Sequence, residues 1–157
     1  MTPAIGVLRK LGIAHSVHRY SVSGDEEVTY GEAVAAAIGA DPATVFKTLI
    51  AQLNTGELAV AIVPVTSTLD LRALAAAADA KSASMAAPAA AERSSGYVTG
   101  GISPFGQRKR LRTFVDGSAQ LHPAVFVSAG RRGLQVSVAT RDLLRGCGAS
   151  IVADLAR

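Results

Sequence analysis

Lysine 47 is the first residue in this chain whose surroundings invite a chemical question. In the stretch VFKTLI, residues 45–50, an ammonium stands among five β-branched or apolar neighbours. As a strand, the stretch puts Val45, Lys47 and Leu49 on one face and Phe46, Thr48 and Ile50 on the other. A buried ammonium without a partner costs several kcal/mol or gives up its proton. Lys47 therefore either snorkels to water, pairs with a carboxylate, or faces a pocket in which it holds a phosphate or polarises a carbonyl.

A second stretch, TGGISPFGQ at residues 99–107, removes two side chains in succession at Gly100 and Gly101. Backbone of that kind can approach a ligand closely and aim N–H groups at an oxygen; it can equally be an ordinary glycine-rich loop. No Gly-Lys-Ser/Thr follows at P-loop spacing. Next come RKRLR, with Arg108, Lys109, Arg110 and Arg112, and GRRG, with Arg131 and Arg132. Short basic runs are commonly solvated surface, but two of them in a basic chain also suit contact with phosphates. RNP aromatics, a KH loop and zinc-finger spacings are missing, so no base-reading module is visible.

His15 and His18, three apart on an expected strand, point to opposite faces and make a poor metal pair. HExxH, paired cysteines and GxSxG are absent. Cys147 lies between two glycines with no histidine near it in sequence. An enzyme built from these residues is short of a protein nucleophile and of a metal, and no cofactor is expected.

The elements that must position these residues follow from local signals. Thr2-Pro3 predicts an N-cap and first helical residue, with a helix over 4–11 ending at Gly12. Residues 13–22 read as a strand. Thr29 and Glu32 have capping-box spacing and open an alanine-rich helix that stops near Gly39. Residues 45–53 and 57–65 form a hairpin around Asn54-Thr55-Gly56, the second strand central. A helix over 67–80 takes Ser67 or Thr68 as its cap, and another runs from Pro88 to Gly96. Residues 96–116 are irregular. Then come a hairpin around residues 130–133, a short helix at 140–146 and a closing segment at 149–155. Interspersed strands, helices and hairpins predict a mixed α/β (α+β) fold: a largely antiparallel, barrel-like central sheet flanked by helices, in one domain over 1–157.

The 157 residues suit one domain with a real core. Apolar residues make up 49% and aromatics 4%, so that core is aliphatic and stacking platforms for single strands are scarce. A net charge of +4 permits a polyanionic partner. One cysteine excludes an internal disulfide framework. With no signal-like start and no membrane-length apolar run, the cytoplasm is the expected compartment, with neither membrane nor DNA as partner.

Taken in order and spacing, VFKTL, LDLRALA, AERSSGYVTGGISPFGQRKRL and VFVSAGRRGL resemble the YbaK/EbsC family, the bacterial trans-editing Cys-tRNA(Pro)/Cys-tRNA(Cys) deacylases. The resemblance runs from Thr2 to about Asp154. It implies the mixed α/β editing fold also inserted in prolyl-tRNA synthetases, and removal of misattached cysteine from tRNA(Pro), with tRNA(Cys) as a second substrate. It places the family's lysine at Lys47 and implies oxyanion stabilisation by the backbone at Gly101 and Ile102. Tyr20, Phe46, Thr48, Gly100, Ser103, Ser128 and Gly130 would bind substrate. Arg108, Lys109, Arg110, Arg112, Arg131 and Arg132 would bind tRNA, and prolyl-tRNA synthetase would be a transient partner. The substrate's own thiol would attack its ester, closing a ring expected to be a five-membered thiolactone. The family pattern often has an acid where this chain has Gln135. A deacylase for alanine or another small amino acid, and a non-catalytic tRNA- or synthetase-binding module, are the competing readings.

Overall fold

The computed structural model describes residues 1–22 and 29–157. Helix α1, Pro3–Lys10, starts where expected: Thr2 caps it by accepting the Ile5 N–H, and Pro3 supplies a fixed φ in the first turn. Strand β1 is His15–Arg19, shorter than the sequence predicts, because ladder pairing with the later hairpin spans only those five residues. Helix α2, Tyr30–Ile38, has Thr29 as cap, its hydroxyl accepting the Glu32 N–H, and ends on left-handed Gly39.

Strands β2, Phe46–Leu53, and β3, Leu58–Pro64, form the expected hairpin, with Lys47 opposite Val63. Helix α3 is Leu71–Ala77, and its cap is Asp70 rather than Ser67 or Thr68. The physical reason is that Thr68 exchanges two backbone hydrogen bonds with Arg157, which holds the preceding residues extended. Asp70 is then the first side chain free to accept the Arg72 and Ala73 N–H groups. Strand β4, Ala83–Met85, precedes helix α4, Pro88–Ser95, which stops at left-handed Gly96.

The segment expected to be irregular ends in strand β5, Arg112–Asp116. Strands β6, Ala124–Arg131, and β7, Leu134–Ala139, make the second hairpin, with a register shift between Ser128 and Arg131. Helix α5, Thr140–Cys147, and strand β8, Ser150–Val152, complete the order.

The strands form two open sheets rather than one barrel-like sheet. One is three-stranded and antiparallel, β1-β7-β6; the other is five-stranded and mixed, β4-β2-β3-β5-β8, with β3 central. Two of its pairs, β3–β5 and β5–β8, are parallel, so the antiparallel expectation holds for the small sheet and half of the large one. A single bridge between Val45 and Phe126 joins the sheets. The main apolar cluster fills the space between them under α1 and α5, with Leu8, Phe46, Ile62, Phe105, Val136 and Leu143 at its centre. A second cluster packs Leu74 of α3 against Ala61, Val63 and Phe114. Among the described residues no helix is long and apolar enough to cross a membrane.

Candidate active site

Strand β2 has one incomplete edge. Its β4 partner covers only residues 51–53 and the bridge to β6 lies at Val45, so the stretch from Lys47 to Leu49 has no ladder partner on that side among the described residues. A cavity of about 460 Å³ wraps this edge, and for that reason side chains from both faces of the strand line it. Lys47 and Thr48 enter from the large sheet, Ser128 and Gln135 from the small one, and Gly100 and Ile102 from the glycine loop. Ser128 and Gln135 are directly opposed across the β6–β7 ladder, which fixes them as a pair.

The electrostatics of the cavity are unusual for an apolar sheet. Lys47 is half-buried and makes no ion pair among the described residues. Burial pulls its pKa below the ordinary lysine value, against a weaker opposing pull from the Glu32 carboxylate. Beside it, the Thr48 hydroxyl and the Gln135 side-chain carbonyl are buried without hydrogen-bond partners among the described residues. Such orphans cost about 1–3 kcal/mol each, which a ligand supplying donors would return.

The glycine loop is held from several sides. Glu92 of α4 accepts the Thr99 N–H at 2.8 Å, and that bond lowers the carboxyl's pKa. Tyr97 donates its hydroxyl to the Phe105 carbonyl at 2.6 Å, closing the loop on itself, and burial pushes that phenol up to about 12. Phe105 is fully buried against Gly146 of α5, where a Cβ would come within 2.7 Å of its ring. Gly101 is needed for close approach: a Cβ there would sit 2.7 Å from the Arg131 Cα.

Six expected residues thus meet in the cavity: Lys47, Phe46, Thr48, Gly100, Ile102 and Ser128. Others are placed differently. The Gly101 N–H is already given to the Val98 carbonyl at 2.9 Å, so it is not available to an oxyanion. Ser103 is fully buried, its hydroxyl accepting the Phe105 N–H, and it shapes the loop from within. Gly130 lies outside the cavity; it gives its N–H to the Ser128 hydroxyl and packs under Tyr97 and Thr2. Tyr20 reaches the cavity wall indirectly, through a 3.0 Å bond from its hydroxyl to that of Tyr30.

The basic run is also divided. Arg112 is engaged by both Glu57 oxygens, at 2.8 and 3.1 Å, and by the Ala78 carbonyl. It pairs with the β3 level of Ala59, four residues from the Val63 level of Lys47, roughly 13 Å along the sheet. Arg108 packs on Gly96 and Arg110 on Gly148. Arg131 and Arg132 lie instead directly on the glycine loop. Cys147 is no nucleophile here: its thiol donates to the Leu143 carbonyl, and burial pushes it up to about 12.

Sequence reasoning missed Tyr30 and the direction of Gln135. Tyr30 lines the cavity from the first turn of α2 and lies under the Arg132 guanidinium, 4.6 Å from its ring centre. The signal was the capping box, which places the next residue at a helix start. Gln135 could be found only from the β6–β7 register.

Comparison with known proteins agrees with this architecture. Over 80% of its length the chain is 35% identical to a protein of Enterococcus faecalis named as a candidate Cys-tRNA(Pro)/Cys-tRNA(Cys) deacylase, EbsC, and the match spans 76% of that relative. The crystal structure of a candidate trans-editing enzyme for prolyl-tRNA synthetase superposes with a TM-score of 0.84 at 21% identity, covering 96% of this chain and 93% of that one. A hypothetical protein of known structure superposes with a TM-score of 0.85 at 19% identity, covering 99% of each chain. These two structures speak for the fold. The model of the aminoacyl-tRNA editing domain matches residues 25–145, and the chain belongs to that family.

Proposed function

We propose that this protein is an aminoacyl-tRNA deacylase that releases cysteine from tRNA(Pro) in trans, with tRNA(Cys) as a second substrate. The observation that carries the reading is an ammonium without an ion-pair partner among the described residues, in a cavity that also holds two orphaned acceptors and a glycine loop. An aminoacyl ester is already activated. Such a site needs only to hold it and to stabilise the oxyanion, and one well-placed donor is worth about 3 kcal/mol of barrier. Lys47 holds the terminal phosphate or the ester oxygen. The backbone of Gly100 and Ile102 faces the carbonyl, Gly101 being committed to Val98. Thr48 and Gln135 accept from the substrate's ammonium.

The missing protein nucleophile is supplied by the substrate thiol. Its sulfur forms a bond to the ester carbonyl carbon, the bond to the ribose oxygen breaks, and that oxygen takes the thiol's proton. Counting Sγ, Cβ, Cα and the carbonyl carbon makes the ring four-membered, not five-membered. Closure is therefore strained, so positioning and oxyanion stabilisation must carry more of the barrier. A transient complex with prolyl-tRNA synthetase supplies tRNA choice, since nothing in the cavity reads tRNA sequence.

Deacylation of Cys-, Ala- and Ser-tRNA(Pro) side by side tests the proposal. Cysteine is released fastest, and alkylating the substrate thiol stops turnover. Faster release of alanine would move the assignment to a small-amino-acid deacylase. An unchanged rate with alkylated cysteine would replace thiol attack by water.

A further inference from the structure

A second depression lies apart from the Lys47 cavity. It is a groove of about 710 Å³ between α1 and the neighbouring end of the small sheet. Arg9 reaches it from α1, Arg19 from β1 and Arg131 from the end of β6, while Ile5, Val17 and Leu134 form its apolar floor. No carboxylate is among its lining residues, and none of the three arginines is in an ion pair among the described residues.

The placement of the cations follows from register. Leu134 of β7 is paired with Arg19 on one side and with Arg131 on the other, so the three residues form one row across the sheet. Neighbouring strands are about 4.8 Å apart, which sets the two guanidinium stems roughly 10 Å apart. Arg9 stands one helical turn beyond Ile5 and overhangs the same floor. All three arginines are exposed, so they can be neutralised by a partner without prior rearrangement.

The groove is continuous with the candidate active site through the tip of one hairpin. The Arg131 backbone rests against Gly101, and the neighbouring Arg132 side chain rests against Gly100 and over Tyr30, at the cavity. Arg131 thus lines the groove, while Arg132 lies over two residues of the cavity wall. A polyanion whose end enters the cavity has a basic path leading away from it, over the hairpin tip and along α1.

We propose that the Arg9–Arg19–Arg131 groove binds the sugar–phosphate backbone of the acceptor end of tRNA, with Val17 and Leu134 beneath the sugars. The inference rests on the tRNA reading given above, but its test does not need turnover. Guanidiniums are suited to phosphates by their fork of donors, and such contacts position the RNA without reading its sequence. Arg112, in contrast, is already bound to a carboxylate.

The test measures equilibrium binding of uncharged tRNA across a salt series, for wild type, for Arg9→Ala/Arg19→Ala, and for Lys81→Ala, an exposed lysine outside groove and cavity. The double variant is expected to bind on the order of tenfold more weakly near 0.15 M salt, and its log Kd against log salt slope to fall by about one per arginine removed. Lys81→Ala is expected to bind as wild type does. With Cys-tRNA the double variant raises KM far more than it lowers kcat. Wild-type affinity and slope in the double variant would overturn the proposal. So would an equal loss in Lys81→Ala, or wild-type protein that binds no tRNA. If tRNA binds as expected but no aminoacyl-tRNA is cleaved, the groove stands and the deacylase reading fails.

Discussion

The Lys47 cavity and the Arg9–Arg19–Arg131 groove lie on two sides of the same hairpin tip and are built on opposite principles. The cavity has one half-buried cation beside two buried acceptors with no partner among the described residues. The groove has three exposed cations over an apolar floor and, among the described residues, no orphaned polar atom. Desolvated charge and unsatisfied acceptors are costly to keep, and they are useful where a reacting group must be held. Exposed arginines cost little and suit a salt-dependent grip on phosphates. The difference separates a place where bonds are made and broken from a place where a long substrate is held.

Substitutions in the two regions should therefore behave differently. The largest effect is expected at Lys47. Lys47→Met keeps the stem and removes the charge, and kcat falls by about a hundredfold to a thousandfold. Its melting temperature does not fall, because a partly desolvated ammonium is removed. Activity and thermal melts of the same preparation check both halves.

An alkaline limb is the next consequence. Burial holds the Lys47 pKa below its ordinary value, so the native chain loses this proton at lower pH than the unfolded chain. In the window between the two pKa values the unfolded state binds more protons, and this group's contribution to stability rises with pH. Activity that needs the ammonium falls across the same window. A rate profile carried through the alkaline range, set against melts over the same range, shows the two trends crossing.

Thr48→Val is a smaller but sharper probe. It removes a buried hydroxyl that has no partner among the described residues, at nearly constant shape, so stability is unchanged or gains about 1 kcal/mol, while substrate affinity falls. Denaturant unfolding and KM together detect that split. Ser103→Ala does the reverse. It leaves the Phe105 N–H without its acceptor in a fully buried loop, so stability drops by about 1–3 kcal/mol, with activity following the fraction folded. The smallest effect is expected for Arg112→Ala, whose tRNA affinity and salt slope stay as in wild type because Glu57 already holds this side chain.

Much of this arrangement was legible in the sequence, for reasons that are local. Thr2-Pro3, Thr29 with Glu32, and the glycines after α1, α2 and α4 mark helix ends through cap chemistry that acts within a few residues. The β2–β3 hairpin was readable from its turn and alternation. Lys47 stood out because an ammonium conflicts with an apolar strand; of the outcomes that conflict left open, the structure has it lining a cavity. What sequence reasoning missed depends on long-range pairing. The cap at Asp70 follows from the bonds between Thr68 and Arg157. The openness of the β2 edge follows from the shortness of β4. The placement of Arg19, Leu134 and Arg131 in one row is a property of register, and the capture of Arg112 by Glu57 is a contact across 55 residues. Basic residues were found by counting, but which of them are free is decided by neighbours far along the chain.

The central claim is that one lysine in a cavity between two sheets acts on an ester carried by tRNA. The measurement that meets it most directly is single-turnover release of labelled cysteine from Cys-tRNA(Pro), with wild-type protein and Lys47→Met each in excess over substrate. The account predicts rapid release by the wild type and loss of at least a hundredfold in the variant, both proteins being fully folded. Equal rates from the two proteins, or no release above the uncatalysed rate with the wild type, would contradict it.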